Sequence, residues 1–373
     1  MTRIVLCANN IDELGGAQRV MHVLAGGFRR RGHDVMLVGV TPFEPAHQVD
    51  EGYERRVLMS APWPHKTTQN ERVRAGLRAE AVAAMVEILK GGDGEPAVLV
   101  TAQVWAMEIL ADALSVVGPA VRSRWSVIGQ YHGSYAAAAT GRDLGRIVRS
   151  YAPVTVFTAL TSEDAQAFTR AGLNNAHAMP NPLAFWPDDV SDLSAREKRT
   201  LLYLGRLSHE KGVDLLLDAW SLVADQHPDW TLSIVGDGPR SLELREQALD
   251  LAGADRIGWH SAVTDPRSIL LEADLFALPS RTEGLPLVVA EAQACGVPVV
   301  AADCSSGVRQ LVGEWGLLVP RGDSRALAAA LDVAMSDQDW RVTCGAKGRT
   351  QMDRYRLEVV LGEWERLIEQ VLQ

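Results

Sequence analysis

Two cationic side chains suited to binding a diphosphate follow a short apolar segment in the second half of the chain. Arg206 and Lys211 lie in the segment GRLSHEKG, directly after the predicted strand Thr200–Leu204. Arginine offers a planar fork and lysine a compact charge, and the start of a helix adds partial positive charge. The competing interpretation is surface ion pairing with Glu210 or Asp214, which contributes about 0–1 kcal/mol. The position after a buried strand favours the binding interpretation.

Two carboxylates, Glu283 and Glu291, lie eight residues apart in the segment EGLPLVVAE, after the predicted strand Asp274–Leu278. The predicted helix Pro286–Cys295 surrounds the second carboxylate with apolar residues. Burial of an unpaired carboxylate is costly, and the two hydroxyls of a ribose would satisfy both of its oxygens. The alternative is a glutamate on the one solvated stripe of that helix. The spacing of the two glutamates does not by itself distinguish these interpretations, but the apolar sequence around them favours ligand binding.

The first half of the chain offers a glycine pair and a histidine at the ends of predicted strands. Gly15 and Gly16 separate the predicted strand Arg3–Ala8 from a predicted helix, where backbone amides can approach an anion. A plain tight turn explains the pair equally well. His132 ends another predicted strand and can contact a sugar hydroxyl or a leaving oxygen, or only stabilise its loop. Trp105 and Tyr135 are either an aromatic acceptor surface or packing residues.

Short apolar runs alternate with amphipathic stretches along the whole chain, which predicts an α/β protein with parallel sheets. A break at Met179-Pro-Asn-Pro182 divides the pattern. We therefore predict a first domain over residues 1–182, a second over 183–352, and an amphipathic helix over 353–373 that packs back toward the first. Further strands are predicted at 35–40, 97–101, 125–131, 154–160, 230–235, 297–301 and 317–320, and helices at 17–31, 70–89, 106–114, 161–171, 212–226, 240–251 and 324–336.

Composition excludes several classes of protein. The 373 residues carry a net charge of −10, and no run of about 18 apolar residues predicts a membrane-spanning helix. The N-terminus lacks an apolar secretion signal, so a cytoplasmic location is expected. Residues 183–373 hold 19 basic and 30 acidic side chains, which disfavours nucleic-acid binding. The four cysteines are widely spaced, which indicates reduced thiols.

Motifs of other enzyme classes are missing or out of context. The sequence contains neither the glycine fingerprint of dinucleotide dehydrogenases nor that of P-loop NTPases, and no GxSxG elbow of serine hydrolases. No histidines and cysteines have zinc spacing. Asp337-Gln338-Asp339 matches a DxD metal pattern by its letters, but it follows a predicted helix and indicates a solvated turn.

Taken together, these motifs resemble the retaining glycosyltransferases of family 4. The resemblance covers nearly the whole chain and rests on the glycine pair, GRLSHEKG, the segment VGDGP at Val235–Pro239, and the E-x7-E element from Glu283 to Glu291. It implies the GT-B fold, in which two Rossmann-like domains face each other across a cleft. It further implies transfer of a sugar from a nucleotide diphosphate sugar, with retained anomeric configuration and with no metal or other cofactor.

The resemblance also assigns roles to residues. His132, Arg206, Lys211 and Glu283 are the implied catalytic residues, with the two cations on the diphosphate and the histidine beside the sugar. The implied donor-binding set is Gly15, Gly16, Arg206, Lys211, Gly236, Ile257, Gly284, Leu285, Pro286, Leu287 and Glu291. In this set the glutamate holds the ribose hydroxyls, the Gly284–Leu287 amides position the sugar, and the base lies near Arg256–Gly258.

The implied partners are a UDP-hexose donor and a hydroxyl acceptor, in cell-surface glycan synthesis. The acceptor is a saccharide, a lipid-linked carrier or a small molecule. The sugar, the linkage and the oligomeric state stay open. A phosphorylase or hydrolysing epimerase of the same fold, or a catalytically silent nucleotide-sugar-binding protein, are the alternatives. Arg72, Arg74, Arg78 and Lys90 on one amphipathic stretch suggest peripheral contact with the inner face of a membrane, although an ordinary domain helix is the simpler interpretation.

Overall fold

A computed structural model describes residues 1–13, 15–43, 52–92, 94–141, 143–194 and 197–373. Their contacts form two compact units. Unit 1 comprises Met1–Ala184 together with Leu357–Gln373, and unit 2 comprises Phe185–Arg356. The boundaries given by the contacts are therefore 184 and 356, against 182 and 352 expected from the sequence. Within the described ranges, no helix combines the length and the apolarity needed to cross a membrane.

Unit 1 is built on a parallel sheet with helices packed against it. The strand order is β3-β2-β1-β4-β5-β6-β7, so the direction of winding reverses between β1 and β4. The strands are β1 (Arg3–Ala8), β2 (Asp34–Gly39), β3 (Glu54–Val57), β4 (Ala97–Thr101), β5 (Trp125–Tyr131), β6 (Val156–Ala159) and β7 (Ala176–Ala178). The helices are α1 (Gly16–Arg30), α2 (Glu71–Lys90), α3 (Val104–Val116), α4 (Pro119–Arg122), α5 (Tyr135–Thr140), α6 (Leu144–Tyr151) and α7 (Ser162–Arg170), with a 3₁₀ turn at Thr68–Asn70.

Unit 2 repeats the same plan with a parallel sheet in the order β10-β9-β8-β11-β12-β13. Its strands are β8 (Arg199–Leu204), β9 (Trp230–Val235), β10 (Ile257–His260), β11 (Leu275–Leu278), β12 (Val299–Asp303) and β13 (Gly316–Pro320). Its helices are α8 (Val213–Val223), α9 (Ser241–Ala248), α10 (Arg267–Glu272), α11 (Leu287–Ala294), α12 (Ser306–Val312), α13 (Ser324–Ser336) and α14 (Gln338–Met352), with 3₁₀ turns at His209–Lys211, Ala224–Gln226, Ala254–Arg256 and Asp353–Tyr355. Both units are therefore Rossmann-like.

Burial explains why the central strands read as continuous apolar runs. Helices cover the sheets, so β1, β4 and β11 are buried on both faces, and alternation with polar residues is absent. The helices instead show a one-sided pattern, as in α1, where Val20, Leu24 and Phe28 are fully buried.

The last helix, α15 (Leu357–Leu372), belongs to unit 1. It packs closely on α1, because a Cβ at Gly27 would lie 2.6 Å from Cδ1 of Leu361. The ring of Trp364 meets that of Phe28 edge-on at 6.5 Å between centroids. At the end of α1, the Arg31 guanidinium pairs with two glutamates of the last helix. The chain therefore leaves unit 1, forms unit 2 and returns.

Candidate functional site

The segments that follow β8 and β11 lie side by side at the carboxyl edge of the unit 2 sheet. The two strands are neighbours, and the strand order reverses between them. The backbone amide of Arg281 donates to the carbonyl of Glu210 over 2.7 Å, and its guanidinium donates to the carbonyl of His209. In open parallel sheets, ligands bind in the crevice at such a reversal. The sheet therefore brings the sequence-predicted segments GRLSHEKG and SRTEGLP to one place.

Lys211 and Glu283 meet directly at this crevice. The Lys211 ammonium donates to Oε1 of Glu283 over 2.7 Å, and the Ser280 hydroxyl donates to the same oxygen over 2.7 Å. The Glu283 side chain is 8% exposed and that of Lys211 28% exposed, so the carboxylate is buried while the cation keeps a solvated surface. Surface pairing of Lys211 with Glu210 or Asp214, the sequence-based alternative, is not what the structure shows.

Asp214 fixes the two segments relative to each other. Its carboxylate accepts two hydrogen bonds from Arg281, over 2.9 and 2.6 Å, and a third from Arg240 over 3.0 Å. Burial alone would raise the pKa of Asp214, but hydrogen bonding to Arg281 and the two nearby guanidinium charges outweigh burial and lower it. The aspartate therefore stays ionised and holds the crevice in shape. Sequence reasoning missed this role, because the partners lie 26 and 67 residues away.

Two glycines permit the close backbone packing around the crevice. Gly212 has φ +67°, and a Cβ there would lie 2.1 Å from the carbonyl oxygen of Pro279. Gly236 has φ +143°, and a Cβ there would lie 1.9 Å from the carbonyl oxygen of Gly205. Both positions exclude any side chain on steric grounds, and both have positive φ. The segments after β8, β9 and β11 consequently touch through their backbones.

The segment Gly284–Leu287 rests on the start of α12. The Ser305 hydroxyl donates to the carbonyl of Gly284 over 3.0 Å and also caps the helix by accepting from the amide of Val308. A Cβ at Gly307 would lie 1.9 Å from the same Gly284 oxygen. This contact fixes the backbone that carries the amides of the predicted sugar-binding segment. The helix α11 begins at Leu287, so Glu283 lies in the loop before it.

Of the other predicted residues of unit 2, Arg206 lies at the crevice and Glu291 in α11, whereas Ile257 lies at the opposite edge of the sheet. Arg206 is exposed directly after β8, at the crevice, and Glu291 is 2% exposed within α11. The solvated stripe proposed as the alternative for Glu291 is therefore wrong. Ile257 is the first residue of β10 and lies at its amino end, away from the carboxyl edge. The neighbouring Arg256 donates to three backbone carbonyls and stacks on Trp220, which is a structural role.

In unit 1, the glycine pair follows β1 at the carboxyl edge of the sheet, and α1 begins at Gly16. A Cβ at Gly15 would collide with the side chain of Gln18 at 2.2 Å, whereas a Cβ at Gly16 would meet no atom of the described chain within 4 Å. The Gly16 position is exposed. The glycine segment therefore presents an open backbone at the start of a helix, which is the geometry that favours an anion.

His132 follows β5 at the same edge of unit 1. Both ring nitrogens are shielded from solvent, and neither has a hydrogen-bond partner within the part of the chain that the structure describes. Burial lowers the pKa of His132 to about 4, so the imidazole is neutral at physiological pH. The alternative of a histidine that fixes its loop through hydrogen bonds finds no support in these contacts.

The remaining sequence candidates have mainly structural roles. Tyr135 packs edge-on against Phe168, at 5.2 Å between ring centroids. Asp337 of the DxD-like segment caps α14 by accepting from the amide of Trp340 over 2.8 Å. All four cysteines are buried and free, and burial raises the pKa of Cys7 to about 12, so its thiol is protonated.

The basic stretch predicted as a membrane contact is helix α2, whose apolar side chains pack mostly into the core of unit 1. Arg78 pairs with Asp112, and Lys90 pairs with Glu87. Arg74 lies over the ring of Trp63, and Val73 is an exposed apolar residue of the helix. Three of the four basic side chains proposed for membrane contact therefore interact with other residues of unit 1.

Comparison with known proteins relates the chain to glycosyltransferases. The family described as "Glycosyl transferases group 1" matches residues 186–351, which is nearly all of unit 2. An uncharacterized glycosyltransferase of Haemophilus influenzae is 28% identical over 99% of this chain and 100% of its own length. Residues 186–351 therefore match the glycosyl transferases group 1 family, and the chain is similar to GT-B glycosyltransferases of family 4.

Solved glycosyltransferases show the same fold over the full length. Sucrose-phosphate synthase from Thermosynechococcus elongatus superposes with a TM-score of 0.80 at 19% identity, covering 100% of this chain and 99% of that one. Anabaena HepE, solved with UDP and glucose, gives 0.77 at 19% identity, covering 98% and 99%. The predicted GT-B architecture of two Rossmann-like domains is confirmed.

Proposed function

We propose that the protein is a retaining hexosyltransferase that moves a hexose from a UDP-sugar to the hydroxyl of a saccharide acceptor, in glycan synthesis and without a metal ion. The observation that carries the proposal is the contact between Lys211 and Glu283. It lies where the strand order of the unit 2 sheet reverses and where close backbone contacts fix the neighbouring segments. The solved relative with bound UDP and glucose supports this choice of donor. The cytoplasmic location expected from the sequence stays part of the proposal.

The chemistry follows from the charges at the crevice. Cleavage of the glycosidic bond leaves negative charge on the departing diphosphate, and Arg206 and Lys211 are cations at the edge where it would lie. Fixed charges of this kind stabilise a leaving group without reorganisation. Glu283 fixes the position of the Lys211 ammonium, and a bound diphosphate would share that ammonium with the carboxylate. The roles of Gly16 and His132 in unit 1, and retention of configuration, rest on the family resemblance.

Donor binding is tested first by thermal unfolding. We expect UDP to raise the melting temperature more than GDP or ADP, because a ligand that binds the folded state stabilises it. Nucleotide sugars are then compared, followed by release of UDP in the presence of candidate acceptors. Product analysis with and without inorganic phosphate distinguishes a transferase from a phosphorylase. UDP release without an acceptor excludes a catalytically silent binding protein.

The variant Arg206→Ala tests the assignment of the leaving-group cation. We expect turnover to fall by about two orders of magnitude or more, as for loss of a donor to a developing charge. The matched control is Arg325→Ala, which removes an exposed arginine from the first turn of α13. Normal turnover of Arg206→Ala with an unchanged melting temperature would refute the role.

A further inference from the structure

A pair of tryptophans lies at the carboxyl edge of the unit 1 sheet and takes no part in the site described above. Trp63 belongs to the segment between β3 and α2, and Trp105 is the second residue of α3. Their ring centroids are 4.9 Å apart with an angle of 54° between the planes. Both side chains are only partly buried. Two large rings are thus brought together from separate elements and left partly open to solvent.

Hydrogen bonds fix the backbone of this pair beside the segments that follow β1 and β2. The amide of Trp63 donates to Oγ1 of Thr41, just beyond the end of β2, over 3.0 Å. The amide of Ala106, next to Trp105, donates to Oδ1 of Asn9 over 3.1 Å, and the amide of Asn9 donates to Gln103 over 2.8 Å. Asn9 follows β1 directly. The tryptophans therefore lie near the reversal between β1 and β4, where parallel sheets bind ligands.

The surroundings of the pair are polar. The guanidinium of Arg74 lies 4.7 Å from the ring centre of Trp63 and supports that ring from α2. Asn10 and Glu13, joined by a hydrogen bond of 3.1 Å, lie on the neighbouring segment after β1 and are partly exposed. A fixed aromatic surface beside amide and carboxylate groups suits a ligand with an apolar face and a hydroxylated edge. A pyranose ring has this character, whereas a lipid chain would match only the aromatic part of the surface.

We propose that Trp63 and Trp105 form the surface on which a pyranose ring of the acceptor stacks. This inference rests on the proposed function and assigns two residues to the binding of its saccharide acceptor. The ring lies against the indoles, and the polar groups after β1 bind its hydroxyls. The sugar end of a lipid-linked glycan and a free oligosaccharide offer the same chemistry, so both are tested.

The experiment measures transfer of NMR saturation from the protein to methyl glycosides of glucose, galactose and mannose at millimolar concentration. We expect saturation of the ring protons of at least one glycoside, and binding that is roughly three- to tenfold weaker in Trp105→Ala, the usual worth of an aromatic contact. Trp105→Phe should retain part of the binding, and Trp63→Ala should weaken it. The matched control is Trp315→Ala, because Trp315 is also half-buried under a cation but lies before β13, at the amino edge of unit 2.

Octyl glucoside below its micellar concentration represents the lipid-linked source. Binding of the methyl and octyl glucosides that depends equally on Trp105 supports recognition of the ring. Binding of the octyl compound alone overturns the proposal, as does equal binding by wild type and Trp105→Ala, or no saturation of any glycoside in the wild type.

The same variants are tested for stabilisation by UDP, which separates the two proposals. Stabilisation by UDP in every variant, without glycoside binding, removes the acceptor surface and leaves the proposed function standing. Glycoside binding that depends on Trp105 in a protein that UDP does not stabilise leaves a saccharide site and removes the donor assignment. If Trp105→Ala melts early, Trp105→Phe replaces it, because its aromatic ring keeps part of the packing, and glycoside binding equal to that of wild type then overturns the proposal.

Discussion

Lys211 differs from an ordinary surface lysine because its partner is buried. Replacing it by methionine leaves the Glu283 carboxylate, whose side chain is 8% exposed, with Ser280 as a remaining donor. We expect Lys211→Met to weaken UDP binding roughly ten- to a hundredfold, because a hydrogen bond to a charged group contributes about 1.5–3 kcal/mol. Isothermal calorimetry measures the change. Lys347→Met, which removes an exposed lysine over Trp315, should bind UDP normally; equal affinity of both variants would contradict the assignment.

His132 gives the protein a dependence of stability on pH. Its pKa in the folded state is lowered to about 4, whereas an unfolded histidine titrates near 6.5. Between these values the unfolded state binds more protons, so stability falls as the pH falls from about 6.5 toward 4. We expect His132→Gln to lose less stability than wild type over this range in denaturant unfolding. Parallel curves for the two proteins would show that the imidazole is not buried as described.

The sequence predicted which residues could bind a ligand better than it predicted which residues they contact. The sequence indicated Lys211 and Glu283 separately, since each follows an apolar strand, and the parallel sheet explains why they meet. It did not reveal the bonds between Asp214 and Arg281, because residues 67 positions apart are joined only by the fold. The predicted base-binding residue Ile257 is the first residue of the edge strand β10, at its amino end. At the other end of that strand, the amide of Ala262 donates to Asp237 over 2.8 Å, a bond that the sequence did not reveal.

At the scale of elements, the backbone contact between the segments after β8 and β11 should be sensitive to a single methyl group. Gly212→Ala places a Cβ 2.1 Å from the Pro279 carbonyl, in addition to the cost of a positive φ. Gly322→Ala is the matched control, since its φ is +82° but a Cβ there meets nothing described within 4 Å. We expect the control to lose about 1–2 kcal/mol of unfolding free energy. The Gly212 variant should lose more and should also lose UDP binding, measured by urea unfolding and calorimetry; equal losses would mean that the segments can move apart freely.

Elements were predictable where burial leaves a simple pattern. The strands β1, β4 and β11 are continuous apolar runs because helices cover the sheet, and α1 shows its buried stripe in the sequence. The edge strand β3 was not predicted, since its residues ERRV are largely exposed and its pairing with β2 comes from the sheet. The edge strand β10 was missed for the same reason, as three of its four residues are only partly buried and the fourth is exposed.

At the scale of the whole molecule, unit 1 depends on a helix that follows unit 2 in the sequence. Val360, Leu361, Trp364, Leu367 and Ile368 of α15 are buried, and each contributes about 1.5–3 kcal/mol. A chain that ends at Arg356 should therefore lose the fold of unit 1 while unit 2 persists, because domains are only marginally stable. Limited proteolysis and calorimetry measure both units.

The matched control for this truncation is Glu358→Gln, which leaves the apolar face of the helix intact. The Glu358 side chain is 70% exposed, so the loss of its ion pair with Arg31 should cost about 1 kcal/mol or less. Protection of unit 1 from proteolysis in the truncated chain would contradict the dependence on α15.

The return of the chain to its first unit sets an order for folding during synthesis. A ribosome releases α1 early, but the face of α1 that receives Leu361 stays uncovered until residues 185–356 have also emerged. At roughly 5–20 residues per second, that interval lasts about ten seconds or longer. The nascent protein therefore exposes an apolar surface for longer than a domain encoded by one continuous segment. We expect chaperones that bind apolar surfaces to bind it during this interval.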